Sequence, residues 1–308
     1  MEYILQTFNI SKKYKNNYAL KNVNINISRG DIYGFVGENG SGKTTIIRLI
    51  TGLIFPTQGS FKLFGVDNTS NDILKVRKKI GAIVESPSIY QNMSAYDNLK
   101  MQCDILGIKD YDTKIKETLK EVGLDYLYND KKHASNFSLG MRQRLGMAMA
   151  LLGDVEFIIL DEPMNGLDPS GIVEIRELIL KLNREKNITF LISSHILTEL
   201  SLVATKYGII SKGKMIKEID SSDLKNECRK TVIIEVDNAL NLYNILINKY
   251  KEQNIKLDNN KIIIYDYENL NEILEFILKN NINILNINCT NFNIEDYYLS
   301  IIGGNSNE

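Results

Sequence analysis

Eight residues limit the fold of this chain more than any others: Gly37-Glu38-Asn39-Gly40-Ser41-Gly42-Lys43-Thr44, a complete match to GxxxxGK[ST]. Residues 32–36 before it read as a short apolar strand, and 44–53 after it as a helix. In that context the glycines let backbone N–H groups turn inward around the phosphates of a nucleotide. Lys43 brings a point charge to the terminal phosphates, and the Thr44 hydroxyl is placed to ligate Mg²⁺. Gly37, Asn39, Gly40, Ser41, Gly42 and Thr45 complete the expected nucleotide-binding positions.

Two further motifs fit such a site. In Phe157-Ile158-Ile159-Leu160-Asp161-Glu162-Pro163, four apolar residues end in adjacent carboxylates. Asp161 at the strand end is placed to hold Mg²⁺ through water. Glu162, one residue on, is placed to polarise a water attacking the γ-phosphate. A strand ending in Asp-Glu is common, and the phosphate loop is what gives this one a role. The run Phe137-Ser138-Leu139-Gly140-Met141-Arg142-Gln143-Arg144 precedes an apolar helical stretch. By itself it is a serine-capped helix start, yet a serine, a glycine and a helix N-terminus together also form an anion site.

Between these motifs the chain alternates strand and helix. Residues 4–8 and 23–27 read as strands, the second in period-2 alternation. From 94 to 123 the period becomes helical, with Ser94 and Asp97 shaped like a capping box. Asp168-Pro169 opens a helix carrying Ile172, Ile175, Ile179 and Leu182 on one face, between strands at 157–160 and 188–192. We expect an α/β P-loop NTPase core with a mainly parallel sheet, an N-terminal antiparallel β portion and a helical insert at about 88–152. This nucleotide-binding domain is expected to occupy residues 1–220. Residues 221–308 turn to Asn, Ile and Lys, with strands at 232–236, around 255–265 and at 282–287, helices at 240–250 and 270–278, and a short amphipathic end at 294–302. They read as a small α+β domain of ferredoxin-like type.

Composition removes other classes. Lys+Arg 37 against Asp+Glu 38 gives a net charge of -1, so no global basic field favours nucleic acid. Cys103, Cys228 and Cys289 are scattered, and His133 and His195 are the only histidines, which excludes a zinc ribbon or disulfide framework. His133 carries no motif and reads as a loop residue. No window nears 18 apolar residues, and the start MEYILQTFNISKKYK is not leader-like, so a cytoplasmic chain working at a membrane through a partner is expected.

With the three motifs in this order, with Asn165-Gly166-Leu167-Asp168 after the acidic pair and Ser193-Ser194-His195 after the next strand, residues 1–220 resemble the ATP-binding subunit of an ABC transporter. The resemblance implies an ATPase with ATP and Mg²⁺ as cofactors, in which two copies sandwich two nucleotides and drive a separate transmembrane permease from the inner face of the membrane. It implies that Tyr14 stacks on adenine, that Ser138 and Gly140 contact phosphate across the dimer, that Asp168 belongs to a dimer-communicating loop and that His195 senses the γ-phosphate.

Two positions depart from the family pattern. Leu139 and Met141 replace the first glycine and the glutamine of LSGGQ, which puts turnover in question. Glu85, in Ile83-Val84-Glu85-Ser86-Pro87, stands where most relatives carry glutamine. Read alone, Glu85 is a catalytic acid, a metal ligand or a surface residue ending a strand. Its resemblance is to the bacitracin and lantibiotic self-protection branch, implying export of a peptide antibiotic, with Glu85 at the Mg²⁺ site and the permease surface together. The closing run Asn293-Ile294-Glu295-Asp296-Tyr297-Tyr298-Leu299 before Gly303-Gly304 is similar to tails of that branch. Other readings are a transporter ATPase for another substrate, a soluble ATPase acting on nucleic acid or the ribosome, and a non-hydrolysing regulatory subunit. The single cassette, the short span from Thr44 to Ser138 and the intact Lys43, Asp161, Glu162 and His195 argue against the last two.

Overall fold

The computed structural model describes residues 2–228, 230–247, 254–267, 269–280, 282–290 and 294–304. The chain divides into two compact units, residues 1–221 and 222–308.

The first unit opens with β1 (Tyr3–Tyr14), β2 (Asn17–Val23) and β3 (Asn26–Ser28), followed by β4 (Ile32–Val36), α1 (Lys43–Thr51), β5 (Gln58–Leu63), β6 (Val66–Asp67) and α2 (Ile73–Arg77). β1 pairs antiparallel with β2, β3 and β5, and β6 extends the sheet beyond β5. The single strand expected at 23–27 is two. Asn9 takes a positive φ of 48°, and its N–H donates to Asn24 Oδ1 at 2.7 Å. Ile25 N–H is taken by Thr7 Oγ1 at 2.8 Å, so the ladder is interrupted at 24–25. β1 runs on through that irregularity past the expected end at 8.

The second sheet continues with β7 (Ile80–Ile83), β8 (Phe157–Asp161), β9 (Thr189–Ser194), β10 (Lys206–Ser211) and β11 (Lys214–Asp220). Its order is β11-β10-β4-β9-β8-β7, parallel throughout except for the antiparallel edge β11. β4, β8 and β9 are buried along their whole lengths, as expected of strands covered on both faces. α1 buries Ile46, Ile47, Leu49 and Ile50 in one core with Leu5, Phe61 and Leu63 of the antiparallel sheet and Phe35, Phe157 and Ile159 of the parallel one. That wide apolar girdle anchors the helix that follows the phosphate loop.

The helical insert is α3 (Ala95–Leu106), α4 (Tyr111–Glu121) and α5 (Leu139–Leu151). Ser94 caps α3 by accepting from Asp97 N–H at 3.1 Å. α5 lies hard against β7 and the loop that follows it. A Cβ added at Gly146 would fall 2.5 Å from Pro87 Cβ, so only glycine allows that approach. Gly146→Val should cost about 1–3 kcal/mol through overpacking. Urea unfolding checks this, and an unchanged midpoint would show that the loop yields freely. α6 (Pro169–Lys186) and the short α7 (Leu197–Leu200) complete the unit. Among the described residues no helix is long and apolar enough to cross a membrane.

The second unit carries α8 (Ser221–Glu227), β12 (Thr231–Val236), α9 (Ala239–Leu246), β13 (Ile255–Asp258), β14 (Lys261–Tyr265), α10 (Leu270–Lys279), β15 (Ile284–Thr290) and α11 (Ile294–Gly304). From β12 to β15 the order is βαββαβ, and the antiparallel sheet runs β13-β14-β12-β15. Val232, Ile234, Ile262 and Ile264 on one sheet face, with Leu242, Leu246, Ile273 and Ile277 from the helices, form its own core. The part of the expected helix at 248–250, and Asn293, lie outside the described residues.

Candidate active site

The four loops carrying the candidate residues follow β4, β9, β8 and β7, which are neighbours in the sheet, at their carboxyl ends. This is where an open parallel sheet offers its crevice to a ligand. After β4, Gly42 takes φ 113° at the N-terminus of α1, where a Cβ would meet Leu20 Cδ2 at 2.6 Å. The turn brings Lys43 back over its own loop. Its Nζ donates to Gly37 O at 2.7 Å and Glu38 O at 3.2 Å, and pairs with Glu162 Oε1 at 3.3 Å. The Lys43 side chain is 5% exposed. Among the described residues Ser41 Oγ is buried without a hydrogen-bond partner, so the loop holds an unsatisfied polar group.

After β8, Asp161 is 4% exposed and is held by two hydroxyls. Thr44 Oγ1 donates to Asp161 Oδ2 at 2.8 Å, and Ser193 Oγ at the end of β9 donates to Oδ1 at 2.5 Å. Glu162 takes a positive φ of 50°, unusual for a residue with a Cβ, and its N–H is fastened to Ser193 O at 3.2 Å and Oγ at 3.0 Å. That turn points the carboxylate back across the sheet end, where His195 Nδ1 lies 2.8 Å from Oε2. The site therefore contains a linked chain, His195–Glu162–Lys43, beside a second one, Thr44–Asp161–Ser193. A buried oxygen set of this kind suits a hard divalent cation shared with phosphate oxygens.

A cavity of about 340 Å³ opens here, lined by Asn39, Thr44, Asp161, Glu162, Gln143 and Glu85, among others. Glu85 lies on its rim with the side chain 62% exposed, and its carboxylate pairs with Arg48 of α1 rather than with Thr44 or Asp161. Tyr14, Ser138, Gly140 and Asp168 do not line this cavity. Tyr14 ends β1 and is 46% exposed, and Lys12 Nζ sits 5.1 Å from the ring centroid. Exposed Ser138 caps α5 by accepting from Met141 N–H at 3.1 Å, and a Cβ at Gly140 would make only ordinary contacts, with Leu167 Cδ2 at 3.9 Å and Ser138 Oγ at 4.0 Å. Asp168 caps α6, accepting from Ser170 Oγ at 2.7 Å and Gly171 N–H at 3.1 Å, and these bonds hold its carboxyl below the usual carboxylate range.

Ser193, Gln143 and Arg48 carry contacts or positions that no single-residue reading of the sequence assigned. Ser193 and Gln143 stood inside recognised runs, but the Asp161 partner of Ser193 and the cavity that Gln143 lines are formed by residues distant in sequence. Arg48 reads only as a polar residue on a helix.

Residues 20–165 match the family model described as ABC transporter. The chain is 39% identical over 306 residues to the bacitracin transport ATP-binding protein BcrA of Bacillus licheniformis, covering 99% of each. It is 43% identical over 222 residues to the lantibiotic transport ATP-binding protein SrtF of Streptococcus pyogenes, covering 71% of this chain and 93% of that one. Among solved structures, cbiO1 from Clostridium perfringens, part of the ABC transporter complex cbiONQ, aligns with TM-score 0.67 and 27% identity over 74% of this chain and 92% of its own. The ATP-binding cassette MJ0796, a dimer in a post-hydrolysis state bound to ADP and Pi, aligns with TM-score 0.63 and 25% identity over 70% of this chain and 98% of its own. With a phosphate loop, an acidic strand end and a histidine assembled at the carboxyl ends of neighbouring strands, and with relatives alike over nearly the whole length, the chain belongs to the ABC transporter ATP-binding proteins and is an ATPase motor subunit.

Proposed function

We propose that this chain binds Mg-ATP as a pair of identical subunits and powers a separate transmembrane permease that expels a peptide antibiotic of the bacitracin or lantibiotic type. The observation that carries the substrate class is the likeness to the bacitracin transport protein over 99% of both chains, which takes in the second unit as well as the ATPase core. In this reading residues 1–220 are the nucleotide-binding domain, 221–308 are a separate α+β domain, and the subunit sits at the inner face of the membrane through the permease.

Lys43, with the inward N–H groups of the loop from Gly37 to Thr45, holds the terminal phosphates, and Tyr14 lies under the adenine. Thr44 and Asp161 fit a divalent cation, since their oxygens already meet at 2.8 Å in a buried position, and Glu85 is proposed as a further contact. Mg²⁺ bound there supplies positive charge to the phosphate oxygens. Glu162 takes a proton from the attacking water as it orients that water, and His195, bonded to the same carboxylate, holds it in place and reads the γ-phosphate. The exposed Ser138 and half-buried Gly140 at the start of α5 offer their anion site to the nucleotide of the second copy. Asp168, whose carboxylate closes the first turn of α6, lies in the loop that carries the signal between copies. Leu139 removes the backbone freedom of a glycine and Met141 the hydrogen-bonding amide usual at that helix start, which alters affinity or turnover.

The test is genetic and physical together. Co-purification with the membrane protein of the adjacent gene, and a several-fold fall in resistance to bacitracin or lantibiotics on deletion, are the expected results. Unchanged resistance across a panel of peptide antibiotics would sink the substrate class while leaving the ATPase intact.

A further inference from the structure

Two serines end β9, and their hydroxyls bond to different elements. Ser194 Oγ accepts from Ile196 N–H at 2.9 Å and lies 3.4 Å from Glu199 Oε2. Ser193 turns the other way, as successive strand residues do. In the parallel register of β8 with β9 it stands beside Asp161, so both side chains leave the sheet on one face.

The Ser193 hydroxyl is where the two acidic residues meet. Its proton goes to Asp161 Oδ1 at 2.5 Å, and its oxygen accepts Glu162 N–H at 3.0 Å, alongside Ser193 O at 3.2 Å. A hydroxyl donates and accepts at once, so one small group serves both neighbours. Ser193 is completely buried, and Asp161 beside it nearly so, which puts this contact out of reach of bulk water. Thr44 holds the other Asp161 oxygen at 2.8 Å but stands among the proposed cation ligands, whereas Ser193 has no second task of that kind. The positive φ of Glu162, 50°, is costly for a residue with a Cβ and persists only where neighbours secure it.

We propose that Ser193 is a positioning residue for ATP hydrolysis. Through one hydroxyl it orients the Asp161 carboxylate at the cation position and fixes the Glu162 backbone in the turn that aims the catalytic carboxylate. The cation side and the base side of the site are thereby set by a single buried group. The inference rests on the nucleotide reading of the site and gives Ser193 no contact of its own with nucleotide.

The experiment compares Ser193→Ala, Ser193→Cys and Ser193→Thr with the wild-type chain. It reads kcat and KM for ATP at saturating Mg²⁺ and, separately, the Mg²⁺ concentration that half-saturates binding of fluorescently tagged ADP. Ser193→Ala should lower kcat about tenfold, the loss of one hydrogen bond to a charged group, with KM for ATP held within about twofold. The half-saturating Mg²⁺ concentration should rise by about 3- to 10-fold. Ser193→Cys, whose thiol bonds weakly, should resemble alanine, while Ser193→Thr keeps the hydroxyl and should recover most of both quantities. If the threonine methyl unfolds the chain, as its melting temperature would reveal, the Glu162→Gln background decides. There, in single turnovers with protein in excess, Ser193→Ala should change the residual rate by less than about twofold, because the residue it acts through is already disabled. A lowered melting temperature with kcat and half-saturating Mg²⁺ both unchanged would make Ser193 structural only and overturn the proposal. A full tenfold loss in the Glu162→Gln background would overturn it as well. Failure of the wild type to bind tagged ADP would overturn the nucleotide reading instead.

Discussion

Glu162→Gln should lower steady-state ATP hydrolysis by about 10²- to 10⁴-fold, the span expected when a positioned general base is removed, with nucleotide binding changed little. The geometry explains why binding and folding should survive. Glutamine has the shape of glutamate, its oxygen can face Lys43 Nζ, and its NH₂ can donate to His195 Nδ1 in the tautomer that leaves that nitrogen free. The positive φ at residue 162 is secured by backbone bonding to Ser193, which the substitution leaves untouched. What is lost is a basic oxygen to receive the proton of the attacking water. Hydrolysis at the wild-type rate by purified Glu162→Gln protein would show that another group is the base.

Lys43→Ala should remove the other half of the chemistry by abolishing useful ATP affinity. Each charge-assisted bond to a phosphate oxygen is worth about 1.5–3 kcal/mol, so losing two of them weakens binding by roughly 10²-fold or more. The deletion also leaves Gly37 O and Glu38 O without their donor, and Glu162 without its counter-charge, in a buried position. Titration of fluorescent nucleotide, together with the rise in melting temperature caused by Mg-ATP, measures this directly. That rise reflects binding to the folded state alone and should disappear with the affinity. Wild-type affinity in the variant would mean that the glycine loop is not the phosphate site.

Much of the site was legible because its signals are local. A phosphate loop is eight consecutive residues between a strand and a helix. Ser94, Ser138 and Asp168 each cap a helix through an N–H three residues ahead, so a short window of sequence contains both partners. The long apolar runs of β4, β8 and β9 announce strands covered on both faces. The strands β5, β10 and β11 went unread; mixed polar alternation such as Gln58–Leu63 resembles a loop until its partner is known. The expected strand at 23–27 failed for a related reason, since the break at Asn24 depends on a bond to Asn9 across the sheet.

Sequence by itself determined the chemistry this protein carries: a lysine and hydroxyl for phosphate and cation, adjacent carboxylates at a strand end, a histidine after the next strand. Only the tertiary structure decided which atoms meet. Thr44 and Asp161 are 117 positions apart, and they touch because parallel pairing puts the ends of β4, β9 and β8 side by side. Which oxygen of Glu162 faces Lys43 and which faces His195, and that Glu85 rests on Arg48, follow from strand order, backbone turns of positive φ and the close seating of Pro87 on Gly146. These are long-range packing outcomes, set by burial of whole strands and helices, and no short window of residues contains them.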